Sequence, residues 1–301
     1  MTGLAPFGVY VHVPFCASRC DYCAFATWTD RLHLASRYAA AVVGEARSAG
    51  LLPATSCFVG GGTPSQLPAA LLAEILAAVP LAPGAEVTVE CNPDDATGAL
   101  LGTWRAAGVT RVSLGVQSLD PVVLAGLGRR HAPEAVVRAV ELVRAAGFAT
   151  WSLDLITGGA GEGDASWRRT LDGVVALEPP HVSAYCLTVE PGTPLAADPA
   201  RHPDDDAQAD RYLLVDSVLG RAGLHWYEVS NWASSRRSEC RHNRLYWEQG
   251  DYRGLGCAAH SHTAGRRWWN VRTPERYCGL VEAGGDPTAG EEVLDGPTRA
   301  Q

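Results

Sequence analysis

The sequence predicts an α/β chain: a partial barrel of six β/α units followed by the start of a C-terminal domain. Three observations carry this. Strand-like and helix-like runs alternate from residue 8 to about 222. Six such units precede position 223, too few for a closed eight-strand barrel. The rhythm then stops. Six units allow a partial barrel or an open doubly wound sheet, and both collect ligands at the carboxyl ends of their strands.

Residues 8–15 read as the first strand. Residues 31–50 read as an alanine-rich helix closed by Gly50, 56–59 as a short buried strand running into GGGTP, and 67–79 as a helix. A strand over 86–90 follows, then a helix over 95–107 ended by Gly108. The strand at 111–116 leads into helices over 121–126 and 133–146. A strand at 150–156 precedes a helix at 165–177, and a strand at 181–189 precedes a helix at 204–222. HWYEVSNWA, from His225, reads as one more short strand and its exit. Beyond about residue 234, arginine, aromatics and glycine become dense, and the chain runs out in TAGEEVLDGPTRAQ, a polar stretch that closes nothing. The expected organisation is one unit over 1–233 and a second, cut short, over 234–301.

Hydrophobic residues make up 47% of the 301, enough for a sizeable core. No run of about 18 apolar residues occurs, so no membrane span is expected. The start, MTGLAPFGVYVHVPF, lacks a basic n-region and a cleavage site, so the chain is expected in the cytoplasm. A formal net charge of −8 argues against non-specific nucleic-acid binding. All 25 basic residues are arginine, which excludes Schiff-base and P-loop lysine chemistry. Nine cysteines without a secretion signal do not suggest a disulfide framework. Cys57, Cys91 and Cys186 lie in apolar or β-branched runs and are expected to pack in the core.

The remaining chemistry starts at CASRCDYC, directly after the first strand. Cys16, Cys20 and Cys23 are spaced C-x3-C-x2-C. Thiolates hold Fe–S clusters, and three of them would leave one iron of a cubane open. A zinc site with His12 or His33 as fourth ligand is the alternative. GGGTP, at 60–64, allows close backbone approach but has no lysine for a nucleotide loop. Glu90, Gln117 and Asp154 then fall at or near strand ends, with Arg129 following the fourth strand. These are poor residues for the middle of a buried strand, and all belong to one rim of the sheet. A structural ion-pair network is the plainer explanation for the three charged ones.

C-x3-C-x-aromatic-C after a first strand resembles the radical S-adenosylmethionine superfamily, and GGGTP resembles its GGE-type motif. The ordered run YVHVPFCASRCDYC, GGGTPS, ECNP, GVQS, LGRRH, LDLITG, HNRLYW and GLGCAAH is similar to the HemW-type proteins, relatives of oxygen-independent coproporphyrinogen III dehydrogenase. The resemblance implies a radical-SAM partial barrel with a [4Fe-4S] cluster on Cys16, Cys20 and Cys23. It implies S-adenosylmethionine contacts at Tyr10, Tyr22, Gly61, Gly62, Thr63, Glu90, Gln117, Arg129 and Asp154. It implies heme binding at HNRLYW, hence His242, with Asn243, Tyr246 and Trp247, and transfer of heme to an acceptor protein. His260 is a second candidate ligand, and Arg236, Arg237, Arg241 and Arg244 could meet propionates. The dehydrogenase branch carries a fourth cysteine where this chain has Phe25, so coproporphyrinogen turnover is not expected. Ala24 and the GGAGEG turn after Asp154 also depart from the family pattern. Part of the family's C-terminal domain is expected to be missing after about Glu292.

Overall fold

The structure is a computed structural model that describes residues 5–294. Its first part runs β1 (Phe7–Val13), α1 (Ala35–Ser48), β2 (Ala54–Gly61), α2 (Ala69–Ala78), β3 (Leu81–Cys91), α3 (Gly98–Ala106), β4 (Arg111–Gln117), α4 (Pro121–Gly126), α5 (Pro133–Ala145), β5 (Thr150–Thr157), α6 (Asp164–Ala176), β6 (His181–Cys186) and α7 (Asp205–Arg221). β1 to β6 pair in sequence order and in parallel, giving the expected open six-unit β/α barrel.

Alternation along each strand decides which side faces the helices. Val9, Val11 and Val13 of β1, Val87 and Val89 of β3, and Val112, Leu114 and Val116 of β4 point outward and are buried under the helical layer. α1 meets them with Tyr38, Ala39, Val42 and Ala46, an i, i+1, i+4, i+8 stripe. The inward positions are polar instead: Thr88 and Glu90, Arg111 and Ser113, Ser152 and Asp154, His181 and Ser183. The barrel interior therefore carries a set of polar side chains inside an apolar shell.

Helix starts follow side-chain caps. Thr97 Oγ1 accepts from the Leu100 amide at 3.1 Å, so α3 begins at Gly98 and the expected start at residue 95 becomes a short 3-10 turn, Pro93–Asp95. Asp120 and Asp204 cap α4 and α7 in the same way.

Three expectations need correction. The rhythm does not end at residue 234. β7 (His225–Glu228) and β8 (Asn231–Ala233) form a hairpin on β6, and then α8 (Arg241–Trp247), β9 (Asp251–Leu255), β10 (His260–Thr263), β11 (Arg266–Asn270), α9 (Pro274–Glu282) and β12 (Thr288–Val293) follow. β9 lies parallel beside β1, so one twelve-stranded sheet runs β12-β11-β10-β9-β1-β2-β3-β4-β5-β6-β8-β7. The polar segment from Thr288 is not idle, because it pairs antiparallel with β11 through an exposed ladder of Arg266 to Glu291 and Arg267 to Glu292. Finally, Cys57 and Cys91 are buried, but Cys186 is exposed. It ends β6, still paired with Thr157 of β5, and lines the barrel interior.

Candidate cofactor site

A cavity of about 860 Å³ fills the barrel and opens beside the loop after β1. Cys16, Cys20 and Cys23 line it, all partly exposed and all free thiols. The loop is held by backbone clamps. Gly62 and Thr63 amides donate to the Val13 and Phe15 carbonyls, both at 2.7 Å, and Trp28 donates to Pro14 at 2.8 Å. The glycines of GGGTP are thus needed by the chain itself. Gly61 has φ +113, and a Cβ there would stand 2.4 Å from the His12 ring. A Cβ on Gly62 would meet the Val13 and Phe15 carbonyls at 2.8 Å.

Two donors reach the thiols. Thr63 Oγ1 lies 3.3 Å from Cys16 Sγ, and Arg129 Nη1 lies 3.6 Å from Cys20 Sγ. Burial pushes the Cys16 thiol up to about 11, so metal binding there would expel a proton. Among the described residues no three histidine, cysteine or carboxylate side chains converge on a single ion. A cubane does not ask for that, since each thiolate binds a different iron. Three soft donors on one clamped loop, beside an open chamber, fit such a cluster.

The chamber wall next to the thiols carries polar atoms with nothing to bind. Gln117 Oε1 and Arg129 Nε are buried without hydrogen-bond partners. Gln117 also sits at φ +58, at a register shift between β4 and β5. A non-glycine residue held in that conformation with an orphan oxygen is a strained position, and such positions cluster at ligand sites. Arg129 Nη2 is anchored on Asn92 Oδ1 and the Gly115 carbonyl, both at 2.9 Å. The Glu90 carboxyl is pushed up to about 8, first by burial and then by Asp154, so it is neutral at pH 7. These groups suit a ligand that brings both a cation and acceptors.

Asp154 is held differently. Its carboxylate accepts from Ser113 at 2.6 Å, Ser152 at 2.8 Å and Ser183 at 2.9 Å. Ser152 Oγ also lies 2.8 Å from His181 Nδ1, and His181 Nε2 lies 2.8 Å from the Tyr227 hydroxyl. The Cys240 amide donates to that hydroxyl at 3.2 Å. Tyr227 therefore donates to Nε2, and Nδ1–H points at Ser152. Burial holds His181 neutral, well below its usual range.

Of the residues singled out from sequence, Tyr22, Gly61, Gly62, Thr63, Glu90, Gln117, Arg129 and Asp154 all line this chamber. Tyr10 stays behind it, stacked on Phe58 with its hydroxyl 3.2 Å from His12. Phe25 lines the mouth and is 66% exposed. His12 is bonded to the Ala26 carbonyl at 2.8 Å. Sequence reasoning missed Thr88, Arg111, Ser113, Ser152, His181 and Ser183, whose signal was the polar alternation along strands β3 to β6.

HNRLYW forms α8, and it divides. Asn243 lines the chamber. His242 is buried on the other side, against Gly8 of β1, with Nδ1 3.0 Å from Ser56 Oγ and Nε2 3.0 Å from the Tyr246 hydroxyl. Burial lowers it to about 3, so it is a neutral imidazole. Tyr246 and Trp247 are exposed, and Trp247 borders a small cleft with Tyr227 and Arg244. Arg244 pairs with Glu239 and Glu248, and Arg241 donates to the Gly84 carbonyl. Arg236 and Arg237 lie on the surface. His260 of β10 stacks on Trp269 of β11.

The sequence profile of the radical SAM superfamily matches residues 10–174. A protein of Mycobacterium tuberculosis named heme chaperone HemW is 45% identical, over 96% of this chain and 78% of its own length. The chain belongs to the HemW family of the radical SAM superfamily. Other relatives are the heme chaperone HemW of Escherichia coli, 36% identical over 86% of this chain and 71% of its own, and a Bos taurus mitochondrial protein named for its radical S-adenosyl methionine domain, 37% identical over 84% and 60%. The solved structure of the radical SAM enzyme HemN, coproporphyrinogen III oxidase of Escherichia coli, superposes with a TM-score of 0.84 over 97% of this chain and 72% of that one, at 23% identity. That likeness shows the fold. Radical SAM proteins of this family typically use a [4Fe-4S] cluster with S-adenosylmethionine. Among the described residues no helix is long and apolar enough to cross a membrane.

Proposed function

We propose that this HemW-family chain binds heme and hands it to an acceptor protein, with a [4Fe-4S] cluster on Cys16, Cys20 and Cys23 and S-adenosylmethionine in the chamber mouth. The observation that carries the reading is HNRLYW folded as α8 beside the barrel, in a chain 45% identical to a protein named heme chaperone. The barrel unit, 1–233, would carry the cluster, and the segment 234–301 the heme motif. Nine free cysteines suit a reducing cytoplasm.

The cluster supplies one-electron chemistry when bound. Thr63 and Arg129 would donate to cysteine sulfurs and stabilise their charge. Glu90 would receive the cofactor's cationic group, ionising as it does so, while Gln117 Oε1 and Arg129 Nε gain the partners they lack. Tyr22, Gly61, Gly62 and Asp154 would shape the rest of that pocket.

At α8 the buried imidazole of His242 is neutral, as an iron ligand must be. With Nδ1–H on Ser56, the Nε2 lone pair faces the Tyr246 hydroxyl. Heme iron would reach Nε2 once Tyr246 turns away, and Ser56 would then fix the ring from behind. Tyr246 and Trp247 would offer flat apolar surface to the porphyrin, and Asn243 would join the two sites.

The test is anaerobic reconstitution followed by heme titration and a coproporphyrinogen assay. Expected are a Soret band that loses intensity or shifts in His242→Ala, faster heme uptake in Tyr246→Phe, and no protoporphyrinogen formed. Robust turnover would make the chain a dehydrogenase, and a Soret band unchanged in His242→Ala would remove His242 as ligand.

A further inference from the structure

Arg111 opens β4 and is only 1% exposed. Its Nη1 donates to the Ser238 carbonyl at 2.7 Å. Its Nη2 has no hydrogen-bond partner among the described residues, and the side chain lines the chamber. Thr88 stands directly beside it in register on β3. Thr88 is equally buried, lines the same chamber, and its Oγ1 is also without a partner. Two orphaned groups able to donate thus come from residues paired in register on the inner wall.

A buried guanidinium left half unpaired is costly, so this arrangement points to a ligand. Arg111 acts on the Asp154 carboxylate through space, but no carboxylate of the described residues bonds Nη2. Asp154 is taken by three serine hydroxyls, and Glu86 accepts from the Arg241 amide at 2.8 Å. The strand rise places Arg111 roughly 20 Å along β4 from Gln117, far from the thiol end of the chamber.

We propose that Arg111 Nη2 and Thr88 Oγ1 form a subsite for the carboxylate group of a small organic molecule bound deep in the barrel, distinct from S-adenosylmethionine. A guanidinium N–H and a hydroxyl O–H from register partners on one chamber wall match an acceptor with two oxygens. A monoanion fits better than phosphate, because the Asp154 carboxylate lines the same chamber and repels a dianion more strongly. The subsite is independent of the heme reading and of which molecule α8 binds.

The test is titration of the anaerobically reconstituted chain with 13C-acetate, followed by ligand line broadening, with and without saturating S-adenosylmethionine. Expected is saturable acetate binding that persists beside S-adenosylmethionine, weakens about tenfold or more in Arg111→Met, and weakens severalfold in Thr88→Val, with inorganic phosphate a poorer competitor. Thr88→Val swaps a hydroxyl for a methyl of similar size, so the question is answered even where Arg111→Met does not fold. The subsite is overturned by no saturable acetate binding, by binding unchanged in Thr88→Val, or by phosphate competing as well as acetate. Displacement by S-adenosylmethionine also overturns it, assigning the anion to that cofactor's own carboxylate.

Discussion

Ser56 Oγ and His242 Nδ1 stand 3.0 Å apart across 186 residues of sequence, and the bond ties α8 to the barrel strand β2. It places a neutral imidazole, buried, beside Phe58, whose ring centroid is 5.7 Å away. This one contact links packing, ionisation and the proposed ligand chemistry of α8.

Its pH signature has a definite sign. Folding lowers His242 from its usual value to about 3, so between about pH 6.5 and 3 the unfolded chain binds a proton that the folded chain refuses. The contribution to stability is complete above pH 6.5 and is lost as pH falls, at up to about 1.4 kcal/mol per pH unit. His242→Asn should be less stable than wild type at pH 7, by about 1–3 kcal/mol for the broken bonds. The gap should narrow or reverse by pH 5 in urea unfolding. Parallel stability curves for the two proteins would show that His242 does not titrate as the geometry requires.

Glu90 carries the opposite sign. Its carboxyl is raised to about 8, so the folded chain holds a proton between about pH 4.5 and 8 that the unfolded chain has released. Wild type is destabilised progressively across that window and levels off above it. Glu90→Gln, which copies the neutral form, should gain on wild type by up to about 1.4 kcal/mol per pH unit from pH 5 to 8. Binding of S-adenosylmethionine at pH 7 should release a proton, seen as a calorimetric heat that depends on the buffer. The variant should lose both that dependence and about tenfold or more in affinity. A buffer-independent heat in wild type would remove Glu90 from the cation's environment.

Much of this was legible in the sequence, for identifiable reasons. The six β/α units follow from local periodicity. Cys16, Cys20 and Cys23 are close in sequence and therefore close in space. Glu90, Gln117 and Asp154 stood out as polar residues ending apolar strands, and they do share one chamber. What stayed hidden depends on distant partners. Arg111 looked like a strand's first residue, and only its register beside Thr88 shows two unpaired donors. β9 could not be placed, because nothing local says that Phe7 pairs with Asp251. His242 was marked only by the resemblance, and its bond to Ser56 shows a buried ring that nothing local announces.

Gly61 tests the clamp on the thiol loop. Its φ of +113 and the 2.4 Å approach of a Cβ to His12 leave no room for alanine. Gly61→Ala should destabilise the chain by about 2 kcal/mol or more and lower Tm by roughly 3 °C or more. It should also disturb the Gly62 and Thr63 bonds that hold residues 13–16. Reconstituted iron and labile sulfide should therefore fall together with stability. Full cluster loading at wild-type Tm would mean the loop does not depend on this turn.

Glu45 of α1 is the buried tie between the barrel and the strands after residue 250. Its carboxylate accepts from the Gly256 amide at 2.9 Å, Asn270 Nδ2 at 2.9 Å and the Tyr277 hydroxyl at 2.6 Å. Glu45→Ala strands three buried donors at once, so it should cost about 3 kcal/mol or more. Tyr277→Phe removes one donor and should cost about 1 kcal/mol. The loss should be local before it is global, because β2 to β6 keep their own apolar shell. Hydrogen exchange at low denaturant should therefore rise first in β9 to β11 and α9, with β3 to β5 still protected. Uniform acceleration across all twelve strands would instead mean that Glu45 supports the whole sheet as one cooperative unit.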